Sequence, residues 1–164
     1  MTSTDLPGTT GEDYAEAAEH RPLAGYAALS GTLAAAFAAG LVSARLPERI
    51  APQDVVLAGV ATHKLSRLIA KDKVTSFIRA PFTEFQEPSG KGEIEEKPRG
   101  RGLRLATGEL LVCPYCVAQW IAAGFAVGYV RAPRFTRLLA GMYTMYAISD
   151  GLQFAYLAAD EHAG

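Results

Sequence analysis

The stretch LAGYAALSGTLAAAFAAGLVSA, residues 23–44, runs for 22 positions without a charged side chain. A second, LLVCPYCVAQWIAAGFAVGYV at 110–130, does so for 21, and a third, Leu138 to Ala159, carries only Asp150. A helix needs ~20 predominantly apolar residues to cross the hydrocarbon core of a bilayer. With the shorter apolar run Val55 to Thr62, these segments predict an all-α membrane protein of about four transmembrane helices, near 22–46, 54–71, 113–130 and 136–159. Average composition conceals this. The chain has 164 residues, 16 Lys plus Arg against 17 Asp plus Glu, and 49% hydrophobic residues, as an ordinary soluble domain would, but its charges crowd into a few segments. The even balance excludes a nucleic-acid binder built on a broad basic surface, and two cysteines exclude a disulfide-stapled secreted scaffold.

Residues 1–21 hold Asp5, Glu12, Asp13, Glu16 and Glu19 and lack apolar periodicity, which reads as a disordered acidic tail before a helical membrane domain at 22–164. The triplet Val42, Ser43, Ala44 has the small residues of a cleavage site, but an acidic tail is not the basic start of a secretory signal. Two prolines in the connector 47–53 predict that the first two helices are antiparallel neighbours. In the first helix Gly31, Ala35 and Ala39 recur every fourth residue, a spacing that admits a neighbouring backbone or merely makes a weakly apolar span.

The second helix is the unusual one. Asp54 is its expected N-cap, and His63, Lys64, Arg67 and Lys71 share one face by their spacing of three and four. Such a helix spans with its basic end at the cytoplasmic surface or lies partly in the interface; spanning is the preferred reading. The polar loop 72–109 follows, where Thr83–Gln86 and Glu93–Glu96 flank a Pro-Ser-Gly-Lys-Gly turn and predict a small hairpin. The loop is too small and polar to fold alone, so it is expected to rest on the membrane surface or on a protein partner. With four spans, nine Lys and Arg fall on the side of the loop and termini and five on the other, which predicts a multi-pass cell-membrane protein with termini and loop cytoplasmic.

Three constellations could carry chemistry. Cys113-Pro114-Tyr115-Cys116 opens the third helix, where a cysteine at the N-cap and proline at N1 direct a thiol at free backbone N–H groups and favour a thiolate. The tetrapeptide resembles the active-site spelling of glutaredoxins, though no strand-helix-strand pattern surrounds it. Packing, redox exchange and half of an intermolecular metal site are the competing readings, and two thiolates fall short of the four ligands of a structural zinc. Asp150, inside the fourth helix, needs a partner, with His63, Lys64 or Arg67 the natural ones; an architectural pair is preferred over a proton or ion site. Cys116, Trp120, Gly124 and Gly128 follow every four residues, so Trp120, Gly124 and Gly128 are expected to pack helices within the chain or in a homo-oligomer.

Two blocks resemble a known family. Residues 61–74, ATHKLSRLIAKDKV, continuing through Phe77-Ile78-Arg79-Ala80-Pro81-Phe82, and Gly108-Glu109-Leu110-Leu111 followed by Cys113-Pro114-Tyr115-Cys116 and Trp120, are similar to the signatures of a small bacterial integral membrane family of unknown function with a sporulation-associated member. The resemblance covers about Val55 to Ala159. It implies a bacterial membrane protein with a developmental or envelope role, and it assigns no catalytic residue, cofactor or metal. His63, Lys64, Arg67, Lys71, Asp72, Lys73 and Arg79 then become candidate contacts for lipid headgroups or a partner. Lacking a nucleotide loop, hydrolytic triad or metal set, the chain reads foremost as a non-enzymatic scaffold or regulator acting through its loop. A membrane thiol-disulfide protein using Cys113 and Cys116 is the alternative. A transporter is a weaker third.

Overall fold

A computed structural model describes residues 21–163, apart from 43 and 48; the acidic tail predicted at 1–21 lies almost wholly outside the described residues. The described chain is mostly helical, with six α-helices and one two-stranded hairpin. In order these are α1 (Leu23–Leu41), α2 (Pro52–Lys71), a 3-10 turn (Lys73–Thr75), α3 (Ser76–Arg79), β1 (Thr83–Gly90), β2 (Glu93–Pro98), α4 (Gly102–Val112), α5 (Pro114–Arg131) and α6 (Pro133–Ala163).

Proline starts α2, α5 and α6, at the first helical position, where its missing N–H has no partner to lose. The N-cap of α2 is Ala51, and Asp54 stands in the first turn instead, where its side chain receives Arg137 of α6. Helix α1 ends at Leu41, short of the predicted 46, because Arg131 donates to the carbonyls of Gly40 and Val42 and satisfies that end.

Contacts between elements set the directions. Gly25 near the start of α1 meets Gly102 and Ala106 of α4, and Gly40 near its end meets Val127 of α5, so α1 and α5 run side by side in the same sense. Tyr129 of α5 donates to the Asp54 carbonyl at 3.1 Å, which runs α2 antiparallel to α5, and Lys64 of α2 reaches Asp150 of α6. The first two helices are therefore antiparallel, but α1 packs mainly on α4 and α5, and α2 mainly on α5 and α6. Ala61, Phe125 and Ala140 form the buried centre, flanked by Leu57, Ile121, Tyr129 and Leu139. Alanine at two of the three positions lets α2 and α6 approach. Outside this centre the bundle shows Val55, Val56, Leu138, Met145, Ile148 and Leu152 to its surroundings.

The expectation of four membrane-crossing helices is corrected. Among the described residues one helix, α1, is long and apolar enough to cross a membrane, and α4 with α5 makes a second if the pair, bent by 85° at Cys113, counts as one. Absence of charge overstated α6, and the apolar run of α2, residues 55–62, is too short to cross. Helix α2 carries His63, Lys64, Arg67 and Lys71, and α6 carries Tyr143, Thr144, Tyr146, Ser149, Asp150 and Gln153 inside its uncharged-looking run. The loop 72–109 is also more structured than expected. Beyond the hairpin it holds the turn and α3, and Gly102–Val112 is a helix that packs closely on α1 where Gly25 leaves room for it.

Candidate functional site

The basic face of α2 and the hairpin form one charged assembly. Residues i and i+4 on a helix lie about 6 Å apart along the axis, and residues i and i+2 on a strand lie only slightly farther apart, about 6.7 Å. Arg67 and Lys71 therefore match Glu93 and Glu95, which share one face of β2. Arg67 Nη2 donates to both Glu93 carboxylate oxygens at 2.6 and 2.7 Å, and Lys71 Nζ to those of Glu95 at 2.8 and 3.0 Å. These hydrogen bonds hold the Glu95 carboxyl below the usual carboxylate range. Glu96 faces the opposite way, into Arg79.

Arg79 is fully buried, and its guanidinium serves three elements. Nε donates to Glu96, Nη1 to the Ile69 carbonyl and Thr75 Oγ1, and Nη2 to the Asp72 carbonyl. Thr83 Oγ1 completes the ring with a bond to Glu96 at 3.2 Å. A planar fork of five N–H groups suits this role; the single ammonium of lysine could not cap the end of α2 and bind β2 at once. At the far end of the hairpin, Lys91 and Gly92 both have positive φ, the two-residue loop whose twist matches the strands. Lys91 Nζ lies 4.7 Å from the ring centre of Phe154 in α6.

Between hairpin tip, α2 and α6 opens a cleft of about 820 Å³, lined on its polar side by His63, Lys64, Arg67, Asp72 and Asp150 and on its apolar side by Tyr146, Phe154 and Leu157. Lys64, with only 11% of its side chain exposed, donates to Asp150 and sits 3.9 Å above the Tyr146 ring. Asp150→Asn leaves this ammonium without its counter-charge, so the protein is expected to lose yield and thermal stability. Asp150→Ala with Lys64→Met should recover much of the loss, as read by melting of the purified protein.

Of the candidate residues, the structure brings His63, Lys64, Arg67, Asp72 and Asp150 into this cleft, turns Lys71 and Arg79 onto the hairpin, and leaves Lys73 exposed. Cys113 and Cys116 are free thiols away from the cleft, at the bend between α4 and α5. Cys113 is the N-cap of α5, and its Sγ accepts the Cys116 N–H at 3.3 Å. Trp120 is half-buried, Gly128 abuts Thr136, and Gly124 faces open space. Among the described residues no group of three or more His, Cys, Asp or Glu side chains is placed to hold a metal ion. Reading the sequence missed Glu93, Glu95 and Glu96 as partners of the basic face. The run Glu-Ile-Glu-Glu after a turn signal carried the hint, since its alternation presents two acids to one side.

A family model described as a protein of unknown function matches residues 57–156, from the middle of α2 through most of α6. The chain belongs to the DUF1360 family. The DUF1360 match contains the hairpin, the cysteine pair and all of the cleft but Leu157, and leaves α1 outside. The chain is 33% identical over 78 residues to UPF0713 protein YngL of Bacillus subtilis (strain 168), covering 46% of this chain and 56% of that protein. It is 36% identical over 76 residues to Sporulation protein YjcA of the same organism, covering 44% and 64%. The chain thus spans less than two thirds of the length of either relative. No solved structure matches it.

Acidification should loosen the hairpin. Because the folded Glu95 carboxyl titrates lower than in the unfolded chain, its contribution is present above the unfolded value and is lost as pH falls through the folded one. Amide exchange across 93–98 should therefore quicken below the usual carboxylate range, and Glu95→Gln should flatten that dependence.

Proposed function

We propose that this DUF1360 protein is a non-enzymatic scaffold or regulator embedded in the bacterial cell membrane, with the hairpin as its partner-docking element and a role in sporulation or development. One observation carries the reading. Two ion pairs, Arg67–Glu93 and Lys71–Glu95, and the Arg79 ring fasten β2 to the helices, while β1 stays exposed along nearly its whole length. In a two-stranded sheet the outer edge of β1 has no strand beside it among the described residues, and such an edge accepts an extended segment of another protein. Phe85, 59% exposed, is the apolar anchor on that strand. The name of the relative YjcA supports the developmental part.

Helices α1 and α5 are the crossing segments in this reading, with α4 turned away from α5 by 85° at their shared end and α2 and α6 packed on them. The start of α1, the hairpin and the later half of α6 share one end, and that end is assigned to the cytoplasm because most cations gather there. At the opposite end, two of the arginines are occupied: Arg131 caps α1 and Arg137 pairs with Asp54. A photo-crosslinking residue at position 85 should give a single defined adduct in cells, lost in Gln86→Pro at unchanged membrane levels; adducts indifferent to that change would overturn the docking role.

The exposed Cys116 and the capping geometry of Cys113 favour a second reading, a membrane thiol-disulfide protein. A membrane-impermeant maleimide separates the two. Labelling only after permeabilisation, without reductant, fits cytoplasmic free thiols and the scaffold. Labelling of intact cells only after reduction means an exterior disulfide, inverts the topology and favours redox chemistry.

A further inference from the structure

Val74, Phe77 and Ile78 recur at three and four residues along the turn and α3, so they share one face. That face points away from the protein, with Val74 76% and Phe77 73% exposed, while Thr75 and Arg79 turn inward to the end of α2. The start of α4 joins the same surface. Arg104 donates to the Pro81 carbonyl through Nε at 3.1 Å and Nη2 at 2.7 Å, and Arg99 donates to that of Ala80 at 3.0 Å, with Leu103 exposed beside them. Lys73, Lys97, Arg101 and Arg104, in the segments that flank these apolar residues, are exposed, Lys97 standing opposite Glu84 across the hairpin. Residues 97–108 hold four cations and no acid.

The depth of this surface follows from the helix directions. Gly25 at the beginning of α1 abuts Gly102 and Ala106, so α4 lies level with one end of α1. Helix α5 runs alongside α1, and α4 turns from it by 85°. A helix at right angles to two crossing helices, at their end, lies along the bilayer surface. Apolar side chains flanked by an excess of Lys and Arg are the composition that an anionic leaflet accepts.

We propose that residues 73–81 and α4 seat the protein on an anionic bilayer surface, Val74, Phe77 and Leu103 entering the interfacial layer while Lys73, Lys97, Arg101 and Arg104 meet the headgroups. This rests on the reading of α1 and α5 as crossing segments. The test uses the full chain in vesicles containing phosphatidylglycerol, with bromine placed either near the headgroup end or near the tail end of the acyl chains. Phe77→Trp is made in a Trp120→Phe background, and Val74→Trp serves if the first variant does not fold. The introduced indole should emit at shorter wavelength than in water and be quenched more by the shallow bromines. Removing one of the four cations should lower the seated-to-unseated ratio about fivefold. Free access of iodide to the introduced indole without lipid quenching, as an acidic protein occupant would leave it, overturns the seating; so does quenching that is equal in phosphatidylcholine. The unaltered chain controls for the underlying reading, because its single tryptophan, Trp120, lies in α5. A Trp120 indifferent to deep bromines overturns the crossing of α5, whereas a quenched Trp120 with an unquenched indole in the Phe77→Trp variant overturns the seating alone.

Discussion

Arg79→Ala is expected to release the hairpin from the helices and to destabilise the protein by about 3–5 kcal/mol, the cost of leaving one partner of a buried ion pair alone. The loss is large because the guanidinium is fully buried and four of its contacts fail together. Glu96 keeps a nearly buried charge, with its side chain 5% exposed, and the carbonyls of Ile69 and Asp72 lose the donor that closes the end of α2. Arg79→Lys should recover little, since one ammonium cannot reach Glu96 and both carbonyls. The double change Arg79→Met with Glu96→Leu should be milder than Arg79→Ala, because it removes the stranded charge. Denaturant midpoints together with proteolysis across 83–98 measure all three. Arg67→Ala is the contrast: its pair with Glu93 is substantially exposed, and such pairs are worth about 0–1 kcal/mol. Equal losses in Arg67→Ala and Arg79→Ala would contradict the central place given to Arg79.

Gly108→Ala should also be harmful, to a smaller degree, despite adding one methyl group. That methyl would lie 2.6 Å from the Phe82 carbonyl oxygen and 3.1 Å from Pro98 Cβ. Neither can yield easily, because Phe82 O already accepts the Arg99 N–H at 2.9 Å, and Pro98 closes the hairpin opposite Thr83. Overpacking against backbone costs about 1–3 kcal/mol. Here it should lift α4 off the hairpin while α1, α2 and α6 stay packed, so melting should broaden and amide exchange rise first at 102–112. Gly124→Ala, on the neighbouring helix, meets nothing within 4 Å and should leave the melting unchanged. A loss there matching that of Gly108→Ala would show that helix propensity or an unseen contact outweighs the tight approach.

These two residues mark where sequence reading succeeds and where it stops. The long helices were legible because apolar runs and an opening proline are local signals, and the hairpin was legible because the Gly-Lys-Gly turn sits between two strand-length runs. Helix α4 was not. Arg104 and Gly108 give 102–112 the look of a loop, and the contacts that hold it, with Gly25 of α1 and Pro98 of β2, are not local. The basic face of α2 was recognised, but its candidate destination was lipid or a partner. The acids that take up Arg67, Lys71 and Arg79 stand 17 to 26 residues further on, beyond the reach of any periodicity. The number of crossing helices was overread because a missing charge was taken for hydrophobicity, although Tyr, Thr, Ser and Gln interrupt α6.

What the sequence determined by itself is the helical character, the position of the hairpin, the clustering of cations on one side of α2 and the likeness to its family. All of these depend on residues within a few turns of one another. The tertiary structure alone decided which acid meets which cation, that Asp150 pairs with Lys64 of the three candidates, that α4 turns by 85° at Cys113, and that the cysteine pair stands apart from the cleft. Each of those depends on how closely two backbones approach. That distance is set by the small residues at Gly25, Ala61, Gly108 and Ala140 acting across the bundle, and no local pattern encodes it.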